Sequence, residues 1–190
     1  LTLGPVRSLP PVMAIAFGWG LAEGTLFFIV PDVFLTLLAL GPLGPLLLAW
    51  AGSILGSLAA VLLLFRWMAA DPGAVLNLIE ALPGISPEMI ASVTAAMAHH
   101  GLPWSPLLVT GGIPLKVYAV AAAGLQLPLA SVLPWTLFAR VVRIGPVLLL
   151  ALAVKRLAGQ SVRRHPRRWF WGVILAWTGF YMIYFQRMGW

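Results

Sequence analysis

Long apolar runs separated by short polar stretches organise this sequence. A membrane crossing needs about 20 largely apolar residues in succession. Residues 44–65, 129–154 and 169–186 meet that requirement and predict three spanning helices. The last is rich in Trp and Tyr, which suit a membrane–water interface. Two further apolar regions are interrupted. Residues 12–40 carry Gly18, Gly20, Glu23, Gly24, Pro31 and Asp32, and residues 102–126 carry Pro103, Pro106, Gly111, Gly112, Pro114, Lys116 and Gly124. Proline removes a helix donor and kinks the chain, and glycine weakens a helix. Backbone groups freed inside a bilayer must be satisfied by protein or by a wet cavity. Both regions therefore read as broken helices or re-entrant hairpins, with an ordinary kinked span as the plainer alternative.

The stretch 66–101 is the most polar between spans. "DPG" (71–73) and "LPGISPE" (82–88) read as turns. Ser86 is a good N-cap, Pro87 suits the first helical position and Glu88 complements the helix dipole. The predicted helix runs to about His100 and stops at Gly101. Ile90, Val93 and Met97 share one face, the pattern of an interfacial helix. His99 and His100 point in different directions on such a helix and lack partners nearby, so no metal site is assigned to them.

Composition sharpens the class. Hydrophobic residues make up 61% of the 190 residues, charged residues 9%, and mean hydropathy is +0.98. An average soluble domain carries about 25% charge, so one polytopic α-helical membrane domain is expected over residues 1–190. No early segment reads as a cleavable signal peptide: Glu23 and Pro31 break the first apolar region, and no small-residue cleavage site follows. A start at Leu1 reads as a fragment, a processed end or an unusual start codon. With no cysteine, disulfides, thiol catalysis and Cys-ligated metals are excluded.

Charge gives a topology. Of twelve basic residues, six fall in 155–168: Lys155, Arg156, Arg163, Arg164, Arg167 and Arg168. Between two apolar segments such a run reads as a cytoplasmic loop under the positive-inside rule, and it is compatible with anionic headgroups. Nucleic acid is not the expected partner. Span 129–154 then enters from outside, 44–65 runs outward, and the first hairpin opens to the cytoplasm with Arg7.

A repeat lies in the prolines. Set against each other at an offset of 83, "VPDVFLTLLALGPLGPL" (30–46) and "IPLKVYAVAAAGLQLPL" (113–129) align Pro31 with Pro114, Gly41 with Gly124 and Pro45 with Pro128. Repeat 1 covers about 12–65 and repeat 2 about 102–154, followed by the basic loop 155–168 and a C-terminal helix, 169–186. The charge-derived topology gives the copies opposite orientations, as an inverted-repeat transporter requires; paired interrupted segments point to a midplane site. The first copy brings Glu23 and Asp32, and the second brings Lys116 with Arg140 and Arg143 behind it. A charge at the bilayer centre costs about 2.5–3.5 kcal/mol on insertion scales, so such groups face protein or water and pair. They read either as salt bridges locking the repeats or as a shared site. In the shared site, Lys116, Arg140 and Arg143 hold an anion while Glu23 and Asp32 carry protons or balance charge. Pro31, Gly112, Pro114 and Gly124 are the hairpin breaks.

Enzyme chemistry finds little footing. His99, His100 and His165 are the only histidines and all lie outside the predicted spans, so no nucleophile–base pair suggests itself. "AGSILGS" (51–57) reads as small-residue helix packing. No P-loop or dinucleotide fingerprint is present, and no cofactor is expected.

"GIPLKVYAVAAAG" (112–124) followed by "LPLASVLPWTLFARVVR" (127–143) resembles the DedA family, also called the VTT or SNARE-associated domain, and is most similar to its YqaA-like branch. The resemblance rests on Pro114, Lys116, Tyr118, Gly124, Arg140 and Arg143, on Glu23 followed by Pro31–Asp32, and on Gly52 and Gly56. It covers about residues 17–156. Where the commoner pattern has an arginine before the second proline, this chain has Gly112 and Ile113, as the YqaA-like branch does. The resemblance implies two facing re-entrant hairpins with surrounding helices. It also implies movement of lipids across a bilayer, such as return of undecaprenyl phosphate under proton motive force in a bacterial inner membrane, or phospholipid scrambling. The implied partners are membrane lipids with anionic headgroups. A small-ion or solute transporter and a non-transporting scaffold are the alternatives, and oligomeric state is open, a homodimer included.

Overall fold

The computed structural model describes residues 9–103 and 112–188. These residues form eight α-helices and no strand. They are α1 (Leu9–Thr25), α2 (Asp32–Ala39), α3 (Leu43–Ala70), α4 (Pro72–Glu80), α5 (Pro87–His100), α6 (Leu115–Gly124), α7 (Leu129–Arg164) and α8 (Pro166–Met188). Among the described residues two helices, α3 and α7, are long and apolar enough to cross a membrane. The stretch 169–186 does not join them: α8 is long, but its Trp and Tyr rings carry polar tips that lower its hydropathy. Arg7 and residues 104–111, including Pro106 and Gly111, lie outside the described residues.

Small residues set the closest pairing, α1 on α3. Gly52 backs onto Met13, Gly56 onto Phe17 and Leu21, and Gly24 onto Ala60 and Ser57. A methyl group at Gly20 would overlap the Ser53 carbonyl, and one at Gly56 would overlap that of Phe17. Small residues let helix backbones approach this closely, as in transmembrane dimers. The contacts advance together along both helices, so α1 and α3 run in the same direction. The chain must return between them, and the break at 26–31 followed by α2 makes that return.

That break is satisfied by side chains from three other parts of the fold. Trp19 Nε1 donates to the Ile29 carbonyl at 2.9 Å, Lys116 Nζ donates to the Phe27 carbonyl at 2.7 Å, and the Val30 N–H donates to Tyr181 Oη at 2.7 Å. A backbone group left without a partner in an apolar environment costs about 1–3 kcal/mol, and these contacts supply partners to a segment that passes from exposed Leu26, Phe27 and Phe28 to buried Val30 and Pro31.

α7 runs against α3. The start of α3, at Leu46 and Ala49, packs with Ile144 and Leu148, whereas its far end, at Leu64 and Met68, shares a cluster with Val132 and Leu133. Lys155 Nζ donates to the Gly41 carbonyl at the end of α2. α2 therefore leads toward the 155–165 end of the molecule. α6 leads the other way, bringing Gly124 beside Met68.

Several local expectations change. The DPG segment is a helix start rather than a turn: Asp71 caps α4, accepting from the Ala74 N–H at 2.9 Å, with Pro72 in the first turn. The basic stretch 155–168 is not a loop. α7 continues to Arg164, with one non-helical residue at Ala158, and α8 begins at Pro166. Lys and Arg are good helix formers, so a charge run does not end a helix; Pro166 does, by disfavouring helix at His165. At 36 residues α7 is about 54 Å long, beyond a hydrocarbon core of about 30 Å, so its basic end extends past one. Pro45 lies inside α3, and the capping prolines are Pro42 and Pro128. The offset of 83 therefore holds for the short helices at Pro31 and Pro114 and slips by three at the long ones, which begin at Leu43 and Leu129.

α5 follows its sequence signals closely. Ser86 Oγ accepts from the Met89 N–H, Gly101 follows the last turn with φ +71°, and Ile90, Val93 and Met97 are buried, in a cluster shared with α6. His99 and His100 are exposed at its end.

Candidate functional site

The segments that lead into α2 and α6 meet. Pro31 is the N-cap of α2 and Pro114 the N-cap of α6, so each segment ends in a short helix leading away from a common centre. Gly112 has φ +90°, a backbone conformation that favours glycine. Its carbonyl accepts from Tyr184 Oη at 3.2 Å. Gly124, the fourth assigned break, closes α6 at the far end of that helix and takes no part in the centre.

Between the breaks lies a cavity of about 280 Å³. Glu23, Asp32, Lys116 and Arg143 all line it, together with Gly112, Pro114 and aromatic rings of α8. The acidic first copy and the basic second copy thus share one chamber. Glu23, Asp32 and Lys116 are buried, and Arg143 is partly exposed.

Arg140 takes a different place. It is 2% exposed and ion-paired with Glu23, outside the cavity lining. Its position one turn from Arg143 puts the two guanidinium groups on one side of α7, yet burial at Ala139–Arg140 sends Arg140 into the protein and leaves Arg143 facing the chamber. The pair joins α1 to α7 across 117 positions of sequence. Arg140 therefore locks two helices, and Arg143 is the arginine presented to the cavity.

Polar capacity remains unused. Both carboxylate oxygens of Asp32 and the Nε and Nη1 groups of Arg140 have no hydrogen-bond partner among the described residues, although all are buried. Arg143 and Arg140 are close enough to Asp32 to act on it electrostatically. A buried carboxylate without donors is costly unless it is protonated or meets a ligand. Asp32 is thus the least satisfied charged group in the chamber.

α8 supplies the part that sequence reasoning missed. Trp177 Nε1 donates to Thr36 Oγ1 at 2.9 Å, Tyr181 Oη accepts from Val30, and Tyr184 Oη reaches Gly112. These rings wall the cavity. Their spacing, 177, 181 and 184, is a helical stripe with polar tips, a signal available in the sequence. The Tyr181 and Tyr184 tips find partners because Val30 and Gly112 turn backbone groups toward α8, and the Trp177 tip finds the Thr36 hydroxyl.

The chain matches no protein-family profile, no curated protein and no solved structure.

Proposed function

We propose that this chain is an integral membrane translocase that moves an anionic lipid across a bilayer, in the manner the DedA-like motifs imply. The observation that carries this reading is the shared chamber: Glu23, Asp32, Lys116 and Arg143 line one cavity where the segments leading into α2 and α6 meet. Two short helices leading away from the chamber in opposite senses, each followed by a long apolar helix, support an inverted repeat of re-entrant hairpins. Lys116 and Arg143 are the headgroup cations, since a phosphate is held by charge-assisted hydrogen bonds. Arg140 keeps Glu23 in place. Asp32, unpartnered beside the cations, balances charge when no lipid is bound and takes or releases a proton as a headgroup enters and leaves. The basic end of α7 and start of α8 face the cytoplasm of a bacterial inner membrane.

The test is lipid movement by purified protein in liposomes. Wild type moves a phospholipid or a polyprenyl phosphate between leaflets, and Lys116→Ala and Asp32→Ala slow it at least tenfold while keeping their helical content. If the wild-type protein moves neither lipid, the proposal fails. A small-anion transporter is the second reading, favoured by the modest cavity volume; anion flux without lipid movement in the same vesicles would select it.

A further inference from the structure

An apolar groove of about 550 Å³ lies on the outer side of α8, against the first helix break. Ile29, Val33, Ile174, Met182 and Phe185 line it. The groove and the charged chamber share three residues, Phe28, Trp177 and Tyr181. The Phe28 and Tyr181 rings meet edge to face with centroids 6.4 Å apart, and Phe28 and Phe185 do so at 5.3 Å. Phe28, Trp177 and Tyr181 therefore form a common border between the charged chamber and the apolar groove.

α8 is divided accordingly. Phe180 and Tyr184 face the chamber, Ile174, Thr178 and Met182 face the groove, and Trp177 and Tyr181 form the edge between them. Tyr181 and Trp177 are tied to the first repeat through the Val30 N–H and Thr36 Oγ1. A molecule that occupies both spaces must carry an anionic group at one end: Glu23 is already paired with Arg140, so Lys116 and Arg143 line the chamber against one remaining carboxylate, Asp32. Its other end must be hydrocarbon, because the groove offers few polar groups beyond Thr178 and Gln186.

We propose that the groove is a chain-binding subsite: one hydrocarbon chain of an anionic lipid lies along α8 between Ile174 and Phe185 while its headgroup sits in the chamber, with Phe28, Trp177 and Tyr181 as the partition at the junction. This rests on reading the chamber as an anionic-headgroup site. A lipid bound in this way differs from the annular lipid that any apolar surface would collect, because only the bound lipid is chosen by its charge.

The experiment uses the full chain in phosphatidylcholine vesicles with two photoreactive probes. Each carries a diazirine at mid-chain; one is a phosphatidic acid and the other a phosphatidylcholine. Labelled peptides are mapped by mass spectrometry. The phosphatidic acid probe should label 174–186 and 28–33 at least fivefold more than the phosphatidylcholine probe. Arg143→Gln should remove that preference, and Ile174→Trp, which fills the groove, should lower labelling at least fivefold. Equal labelling by both probes means annular lipid only and overturns the subsite, as does unchanged labelling of Ile174→Trp. Binding of a short-chain soluble phosphatidic acid to wild type is measured separately. Its presence together with equal probe labelling overturns the groove while leaving the chamber reading standing, and its absence overturns both. The two-probe comparison on wild type does not depend on any variant folding.

Discussion

Removing the Glu23 carboxylate tests whether the α1–α7 ion pair holds the chamber together. In Glu23→Gln, Arg140 stays buried at 2% exposure, and its Nε and Nη1 groups already lack partners among the described residues. The variant therefore leaves a buried guanidinium without its counter-charge. Breaking a buried pair in this way costs about 3–5 kcal/mol, whereas an ordinary interhelical hydrogen bond in a membrane protein is worth about 0.6 kcal/mol. The two scales are far enough apart to decide the matter. The expected loss is therefore at least about 3 kcal/mol, roughly a hundredfold in the folding equilibrium. Arg140→Met alone should cost a similar amount, by stranding Glu23. The double variant Glu23→Gln/Arg140→Met should recover most of the loss, since neither charge is then left alone. Reversible unfolding in mixed micelles, followed by circular dichroism across the four-member cycle, measures the coupling. A single-variant loss below about 1 kcal/mol, or strictly additive losses, would refute the lock and put this contact among ordinary interhelical contacts.

Three further outcomes follow from other parts of the structure. Gly56→Ala pushes a methyl group into the Phe17 carbonyl and should destabilise by about 1–3 kcal/mol. Gly18→Ala meets nothing within 4 Å and should be neutral or stabilising by up to about 1 kcal/mol; the melting temperature should fall for Gly56→Ala and hold or rise for Gly18→Ala. Tyr181→Phe leaves the Val30 N–H without its 2.7 Å acceptor, and amide hydrogen exchange should quicken at 28–32 before any effect reaches α3. At the start of α5, the Ser86 hydroxyl and a backbone N–H hold the Glu88 carboxyl below its ordinary range. A lowered folded-state value means a contribution present above the unfolded pKa and lost as pH falls through the folded one. Ser86→Ala should raise the Glu88 value toward its ordinary range, as read by NMR titration, and should weaken the helix start by about 1 kcal/mol.

α5 was legible from the chain because everything that bounds it is local. Ser86, Pro87 and Gly101 act within one turn of the ends, and the buried stripe at Ile90, Val93 and Met97 needs only helical periodicity. Pro31 and Pro114 were legible for the same reason: proline fixes its own backbone wherever it stands. The small-residue face of α3 at Gly52 and Gly56 was readable too, although its partner helix was not named by it. The basic end of α7 was misread because charge says which environment a segment prefers and not whether it is helical.

Partnership was decided by the tertiary structure alone. Glu23 and Arg140 meet across 117 residues because α1 packs along α3 while α7 runs back against it. Arg143, one turn further on, is turned into the chamber by that same packing, so two arginines that look alike in the sequence have different surroundings. Likewise the rings at 177, 181 and 184 form a stripe in the sequence, but only the folded chain brings Val30, Thr36 and Gly112 to their polar tips. Short-range signals fix where helices start and stop because backbone sterics and capping act over a few residues. Which charge faces which is set by side-chain packing between helices, and no local pattern carries that information.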